Sequence, residues 1–185
     1  MGEANRFPHR WTRVEYERMA ETGVFDPSMR IELIDGEVFD MPPQSTRHYT
    51  AIRLVEQALN QVFGDGFDVR TQGPLAIDEH SEPEPDIAVV AGSPRDYRSS
   101  HPSTAVLICE VADTSLGFDR VRKKRTYAQN GIGEYWILDL NAGCLEVYRS
   151  PQADDYLSKQ TLAGSDNIAP LAAPTRPLRV SDLLP

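Results

Sequence analysis

Apolar residues recur along the chain with two spacings, one typical of helices and the other of strands. Between 45 and 63, Ile52, Val55 and Leu59 follow one another at steps of three and four residues, which predicts an amphipathic helix that begins at Ser45 or Thr46. Thr12 followed by Glu15 matches a capping box and predicts an earlier helix that ends near Gly23. A third helix is predicted over 119–130.

Shorter apolar runs between these helices predict strands. The Asp35-Gly36 pair lies between two alternating segments and predicts a hairpin over 30–40. The runs 86–91 and 105–112 are almost continuously apolar, as expected for strands buried on both faces. Further strands are predicted over 67–71, 74–77, 134–140, 144–149 and 156–162. The pattern indicates helices packed on one mixed sheet, which is an α/β or α+β fold.

Length and composition are those of an ordinary globular protein. The 185 residues are 40% hydrophobic and 25% charged, so we expect a single domain spanning 1–185. No apolar run approaches the roughly 20 residues of a membrane-spanning helix, and Arg6 and Arg10 are not followed by the apolar stretch of a secretory signal. We therefore expect a cytoplasmic protein outside the membrane, with Cys109 and Cys144 as reduced thiols.

The charge is acidic overall but strongly local. A net charge of −9 argues against broad contact with nucleic acid, because neutralising phosphates requires Lys and Arg. Residues 78–86, however, hold five acids and no Lys or Arg, and residues 120–125 hold five cations in six positions. An acidic loop and a basic helix in one small domain suggest that charged ligands meet at one site.

Two acids at the starts and ends of neighbouring apolar runs are candidate metal ligands. Pro85 fixes the backbone ahead of Asp86, which opens one strand, and Glu110 interrupts the next. If these strands are antiparallel neighbours, the two carboxylates lie side by side and repel each other unless a cation lies between them. Magnesium suits such a pair. The alternative is that Asp86 only opens a strand and Glu110 is a strand-end charge, although unpaired buried acids are rare.

The helix after Glu110 offers a cation to this pair. Asp119, Lys123 and Tyr127 share one helical face at four-residue steps. A lysine on that face could reach over the two acids and offset negative charge in a phosphoryl-transfer transition state. The other interpretation is that the basic helix is a solvated surface. A second face, expected to be the packed one, holds Val121, Ala128 and Ile132.

Three further residues are accessory candidates. Glu32 and Glu37 flank the hairpin turn, and one of them could complete a metal site, although hairpin charges are usually solvated. His48 lies near the start of the second helix, where a structural role and a role as general acid or base are both open.

The motifs in their order resemble those of a known family. They are ELIDGEV, a His at a helix start, SEPEPDIAVV, LICEVADTS and DRVRKKRTYAQNGIGEYWILDL. This series is similar to the Uma family of restriction-endonuclease-like proteins, a domain of unknown function in the PD-(D/E)XK nuclease superfamily. The resemblance implies a restriction-endonuclease-like core over about 11–150, with a mixed central sheet flanked by helices and a C-terminal tail.

The resemblance also implies an activity, which is hydrolysis of DNA phosphodiester bonds by an endonuclease that depends on Mg²⁺ or Mn²⁺. Asp86 matches the PD aspartate and Glu110 the second acid. The superfamily's lysine usually lies two residues after that acid, where this chain has Ala112. Lys123 instead fits the D-R-x-x-K-x-x-x-Y pattern, in which Tyr127 is the tyrosine.

The remaining implications concern accessory residues and assembly. Glu37 matches the family's G-E acid and is the third candidate metal ligand, and His48 matches a recurrent histidine. A homodimer is implied, which would double the one basic cluster. Two alternatives stay open: a catalytically inactive binding or regulatory module with the nuclease fold, and a phosphodiesterase that acts on small nucleotides.

Overall fold

The computed structural model describes residues 7–26 and 28–185. The helices are α1 (Arg13–Glu21), α2 (Thr46–Val62), α3 (Leu116–Phe118) and α4 (Lys124–Gln129), and a π-helical turn (Asp119–Lys123) joins the last two. The strands are β1 (Ile31–Ile34), β2 (Glu37–Asp40), β3 (Phe67–Thr71), β4 (Ile87–Ala91), β5 (Leu107–Ala112), β6 (Glu134–Asp139), β7 (Cys144–Gln152), β8 (Asp155–Ala163), β9 (Asn167–Ile168) and β10 (Leu178–Arg179). Short 3-10 helices cover Pro94–Tyr97 and Val180–Leu183.

A six-stranded mixed sheet forms the centre of the fold, in the order β3-β4-β5-β6-β7-β8. The strands β5 and β6 pair in parallel, and the other neighbours pair antiparallel. The π-turn and α4 cross between the two parallel strands, as such a pair requires a long connection. The predicted α+β class, a mixed central sheet flanked by helices, is confirmed.

The two faces of this sheet carry separate apolar clusters. One cluster packs α2 against the sheet through Ile52, Val55 and Leu59. The other packs α4 and the loop before β6 against the opposite face, with Tyr127 and Ile132 fully buried. The part of the chain from Ile168 onward joins the first cluster. It contributes the buried side chains Ile168, Leu178, Val180 and Leu183.

A buried carboxylate ties the C-terminal segment to the sheet. Glu134 Oε1 accepts hydrogen bonds from Arg149 and from Trp136 Nε1, the latter at 3.0 Å. Its Oε2 accepts from the backbone N–H of Leu171 at 2.6 Å. Each oxygen of this acid therefore has a donor, which is what a buried charge requires.

Hydrogen bonds at the N-terminal ends of α1 and α2 confirm the predicted caps. The Thr12 hydroxyl accepts from the Glu15 N–H, and Glu15 Oε2 accepts from the Thr12 N–H at 2.8 Å, which is a capping box. Ser45, rather than Thr46, caps α2, because its hydroxyl accepts from the His48 N–H at 3.1 Å. This cap places His48 in the first turn of α2.

The hairpin β1-β2 lies outside the central sheet. Asp35 and Gly36 form its turn with positive φ angles of 52° and 80°, as the sequence predicts for a type I′ turn. A bridge between Leu33 and Glu82 joins the hairpin to the acidic loop. A Cβ atom on Gly36 would lie 2.8 Å from the Cβ atom of Arg10, so the turn needs glycine for space as well as for φ.

Two local predictions are wrong. Residues 74–77 form no strand, although Leu75 is buried and its N–H bonds to the Pro83 carbonyl. Val121 is 70% exposed and does not belong to the packed face with Ala128 and Ile132. The exposure of Val121 is caused by the π-turn, whose i→i+5 bonds widen the helix and change which side chains face the sheet.

Two further features are the state of the cysteines and the length of the helices. Cys109 and Cys144 are free thiols. In the described part of the chain, no helix is both long enough and apolar enough to cross a membrane.

Candidate active site

The pairing of β4 with β5 brings Asp86 beside Glu110. The strands are antiparallel, with Ile87 opposite Cys109, so the next pair along is Asp86 and Glu110. The Asp86 N–H donates to Glu110 Oε2 at 3.2 Å, and the Val111 N–H donates to Asp86 Oδ2 at 2.9 Å. The antiparallel arrangement expected from the sequence is therefore present, in the interior of the sheet rather than at an outer strand.

Lys123 lies between two of the acids. Its Nζ is 3.0 Å from Glu110 Oε1 and 3.2 Å from Glu32 Oε2, and its side chain is only 7% exposed. The π-turn that ends at this lysine carries it over the sheet instead of toward solvent. At this position the interpretation of the basic helix as a solvated surface does not hold.

Three of the other four cations of the basic run are paired with separate acids. Arg120 bonds to Glu146, and Lys124 is 2.7 Å from Asp155. Arg122 is paired with Asp35 and with Glu37. These partners lie on different elements, so the run is divided among several ion pairs instead of serving one ligand.

Two predicted accessory residues contact the acid pair. The Tyr127 hydroxyl donates to Glu110 Oε1 at 2.8 Å. His48 Nε2 lies 3.2 Å from Asp86 Oδ2, while its Nδ1 atom is buried without a hydrogen-bond partner. Both contacts orient a carboxylate, so each residue acts on the site through the acid that it binds.

The structure does not bring Glu37 to this group. Its side chain is 58% exposed, and its Oε1 is 2.9 Å from Arg122 Nη2. In the hairpin register Glu37 lies opposite Ile34 next to the turn, whereas Glu32 lies opposite Phe39 at the other end. That end of the hairpin faces the acids, and the Glu37 end does not.

Glu32 takes the place expected for Glu37. It is buried, bonds to Lys123, and its Oε2 accepts the Glu84 N–H at 3.1 Å. Sequence reasoning weighed Glu32 but left it among the hairpin charges. The usable signal was its position between Ile31 and Leu33, because it interrupts an apolar run in the same way as Glu110 does.

Negative charge exceeds positive charge in this cluster. The carboxylates of Glu32, Asp86, Glu110 and Asp119 share a single ammonium, that of Lys123, which the surrounding acids keep protonated by raising its pKa against the effect of burial. Burial, together with the neighbouring acids, raises the pKa of Glu110 to about 8 even though Lys123 opposes the change.

The pKa values of Asp119 and Asp86 are shifted in opposite directions. Burial raises the pKa of Asp119 to about 6, although its Oδ2 accepts from the Ser115 hydroxyl at 2.5 Å. Burial also acts to raise the pKa of Asp86, but the hydrogen bond and charge of His48, the charge of Lys123 and the Val111 N–H outweigh it, and this pKa lies below its ordinary value. Asp86 therefore stays ionised more readily than Glu110 and Asp119 do.

A cavity of about 300 Å³ opens over these acids. Glu32, Asp86 and Glu110 are among its lining residues, and the rings of Phe39 and Phe118, here called the apolar wall, also line it. The site therefore combines a charged floor with an apolar wall, and the Asp86 side chain remains 14% exposed to the cavity.

The acid pair fits an open magnesium site rather than a closed cage. Throughout residues 7–26 and 28–185, no three acidic, His or Cys side chains are grouped so as to enclose a metal ion. Mg²⁺ usually takes only one or two carboxylates and completes its shell with water and substrate phosphate. Asp86 Oδ1 has only a 3.4 Å contact from Gln72 Nε2, which leaves this oxygen available as a ligand.

Residues 13–181 match a family model, that of Uma2, described as "Putative restriction endonuclease". The chain belongs to the Uma2 family. A solved structure described as "a putative nuclease belonging to DUF820 from Anabaena variabilis ATCC 29413" shares the fold of this Uma2 chain, with a TM-score of 0.71 and 16% identity over 93% of this chain and 96% of the other. None of the curated proteins compared matches the Uma2 chain.

The ammonium of the site does not come from the position two residues after Glu110. The residue two after Glu110 is Ala112, which is buried and has no charge. In this Uma2 chain the ammonium comes from Lys123 instead, and its Nζ is 3.0 Å from Glu110. The family and the fold place the chain among nuclease-like proteins.

Proposed function

We propose that this protein is a cytoplasmic endonuclease that hydrolyses phosphodiester bonds in DNA and depends on Mg²⁺ or Mn²⁺. The observation that carries the proposal is the antiparallel pairing of Asp86 with Glu110 and the Lys123 ammonium 3.0 Å from Glu110. Two acids and a lysine around one cavity are the groups that hydrolysis of a phosphodiester requires. The family of restriction-endonuclease-like proteins supports the same activity.

Asp86 and Glu110 would hold the metal ion. When bound there, a divalent cation supplies positive charge that polarises the phosphate and lowers the pKa of the attacking water. The surplus of carboxylates over ammonium groups supports this assignment, because repulsion between close carboxylates is relieved when a cation lies between them. Of the two hairpin acids predicted as a third ligand, only Glu32 lines the cavity, and there it binds the Lys123 ammonium.

Lys123 would stabilise the negative charge that develops on the phosphoryl oxygens. Its ammonium bonds both Glu110 and Glu32, so Glu32 would still hold it in place if Glu110 bound a cation. Fixed charges that need no rearrangement are the most effective in a transition state. Tyr127 and His48 are positioning residues, because they contact Glu110 and Asp86 and leave the phosphate to the others.

Few cations near the site are left to bind the phosphates of DNA. Arg120 and Lys124 are already paired with Glu146 and Asp155, and the net charge is −9. A homodimer, as the resemblance implies, would double the cationic surface that remains. We therefore expect low affinity for duplex DNA and strong weakening by salt.

The direct test is cleavage of plasmid DNA, single-stranded DNA and RNA with Mg²⁺, with Mn²⁺ and with chelator. Asp86→Asn, Glu110→Gln and Lys123→Met should each lower the metal-dependent rate by about 100-fold or more, in line with the loss of a transition-state contact. Glu37→Gln is the matched control and should cleave within about twofold of the unaltered chain. Normal cleavage by Asp86→Asn would refute the assignment.

Two other functions are supported by particular observations. A cavity of about 300 Å³ is small enough to favour a phosphodiesterase that acts on small nucleotides, which cleavage of dinucleotides but not of polynucleotides would show. An inactive binding module is favoured by the existing bonds of Glu110 to Lys123 and Tyr127. A calorimetric titration with millimolar Mg²⁺ or Mn²⁺ separates this case, because an inactive module would show no binding.

A further inference from the structure

The apolar wall of the cavity has no part in the proposed chemistry. Phe39 and Phe118 are half-buried, and their ring centroids are 5.0 Å apart with an interplanar angle of 63°. Phe39 lies opposite Glu32 in the hairpin, and Phe118 directly precedes Asp119. Each ring therefore lies next to an acid of the site, either across the hairpin or along the chain. The apolar wall thus belongs to the same cavity as the acids.

Two polar side chains in this cavity lack partners. Gln44 and His48 both line it, and Gln44 Nε2 and His48 Nδ1 are buried without a hydrogen bond. Buried polar atoms are nearly always hydrogen-bonded, and exceptions call for a ligand, a water molecule or a functional reason. An amide and an imidazole can together bind a group that both donates and accepts hydrogen bonds, such as the edge of a nucleobase.

We propose that the cavity holds one unpaired nucleotide of a single DNA strand, with its base against Phe39 and Phe118 and its edge toward Gln44. This inference rests on the proposed function and names its substrate class. Bases stack on aromatic side chains in proteins that bind single strands. A base within an intact duplex reaches such a pocket only after it is extruded from the stack.

The shape and charge of the site favour a single strand over a duplex. Asp86, the most accessible of the acids that would hold the cation, is only 14% exposed, so a phosphate must enter the cavity to reach it. A volume of about 300 Å³ lies at the lower limit of pockets that hold small organic ligands, and a rigid helix does not fit inside it. A flexible strand can place one phosphate and its base there together.

The test compares the affinity of the full-length protein for a phosphorothioate oligonucleotide, which resists hydrolysis, as a single strand and annealed to its complement. With Mg²⁺ present, we expect the single strand to bind at least about tenfold more tightly. Phe118→Ala should weaken binding of the single strand by about 5- to 100-fold, as loss of one stacked base does. Phe7→Ala is the matched control, because Phe7 is 81% exposed and lines a different cavity.

Two further variants keep the test valid if Phe118→Ala fails to fold. Phe118→Leu fills most of the same space without a ring, and Gln44→Leu removes the amide at similar volume. Circular dichroism checks that each variant is folded. Both should bind the single strand more weakly and leave the affinity for duplex nearly unchanged, since the duplex does not enter the cavity.

Several outcomes would overturn the inference. Equal affinity for single strand and duplex would do so, as would normal binding by folded Phe118→Leu. Competition by a free deoxynucleotide as effective as that of the oligonucleotide would replace the strand with a small nucleotide. Cleavage assays run in parallel separate this inference from the proposed function. If Phe118→Leu weakens binding of the single strand but no DNA is cleaved, the inference stands and the nuclease activity does not. If duplex DNA is cleaved and Phe118→Leu binds normally, the nuclease activity stands and the inference does not.

Discussion

Glu110→Gln is expected to make the protein more stable while it abolishes the metal site. The pKa of Glu110 is raised from 4.5 to about 8 by burial and by neighbouring acids. An acid with a raised folded-state pKa costs stability once the pH exceeds the unfolded-state pKa, here 4.5, and the cost grows until the pH passes about 8. At pH 7 it amounts to about 3 kcal/mol, since each unit contributes roughly 1.4 kcal/mol.

The substitution recovers most of this cost. A glutamine carries no charge, but its amide NH₂ faces the Asp86 N–H that now bonds to Glu110 Oε2, which costs about 1 kcal/mol. The net gain at pH 7 is about 2 kcal/mol, or an increase of about 4–8 °C in Tm for a chain of this size. Near pH 5.5 the gain should nearly vanish, because the cost of burying Glu110 falls to about 1 kcal/mol as the pH approaches the unfolded-state pKa of 4.5, and the lost hydrogen bond offsets the remainder.

Thermal unfolding in chelator between pH 5 and pH 8 measures this difference. Glu134→Gln is the matched control, since Glu134 is equally buried but bonded to Arg149, Trp136 and the Leu171 N–H. It should lose about 2–3 kcal/mol at pH 7. Adding Mg²⁺ at about 100 times its Kd should stabilise the unaltered protein by about 2.7 kcal/mol and leave Glu110→Gln unchanged. A lower Tm for Glu110→Gln at pH 7 in chelator, comparable to that of Glu134→Gln, would refute the reasoning.

Three further changes test other parts of the structure. Glu32→Gln should lower the metal-dependent cleavage rate about tenfold, because a hydrogen bond to the Lys123 ammonium is lost. Glu37→Gln should have little effect on that rate. Equal effects of the two substitutions in rate assays would contradict the hairpin geometry. Glu146→Gln should lose about 1.5–3 kcal/mol in denaturant unfolding at pH 7. Its carboxylate has a pKa lowered to about 2 because hydrogen bonds to cations outweigh burial, so this loss should shrink as the pH falls from 4.5 toward 2. Gly36→Ala should cost about 1–3 kcal/mol by thermal unfolding, since φ is 80° and the added carbon meets Arg10; an unaltered Tm would disprove that contact.

The parts of the site that follow from local rules could be predicted from the sequence. Pro85 sets the start of β4, and the apolar run around Glu110 requires a buried strand. The spacing of Asp119, Lys123 and Tyr127 brings three side chains to one face, and all three are buried in the structure. The four-residue spacing is a local pattern, whereas the pairing of the two strands was only a condition of the prediction. Their catalytic roles stay predictions.

Features that depend on tertiary contacts could not be predicted in this way. The choice between Glu32 and Glu37 depends on how the hairpin lies against the acidic loop, and the Leu33–Glu82 bridge that sets this is not a local pattern. The pairing of Arg120 with Glu146 likewise joins residues 26 positions apart. Nothing in the order of residues 120–125 indicates which acids they meet.

The π-turn also determines the angular relation between the two halves of the site. It begins at Asp119 and ends at Lys123, and it joins Phe118 to the helix α4 that carries Tyr127. Val121, at its centre, is exposed and contributes little packing, yet it occupies one residue of the turn. Because the i→i+5 bonds of a π-turn accommodate one residue more than an α-helical turn does, deleting Val121 would favour an ordinary α-helical turn and would move Asp119 relative to the Lys123 ammonium. A solvent-facing valine thereby acts as a spacer that sets the position of Phe118 and Asp119 relative to Lys123.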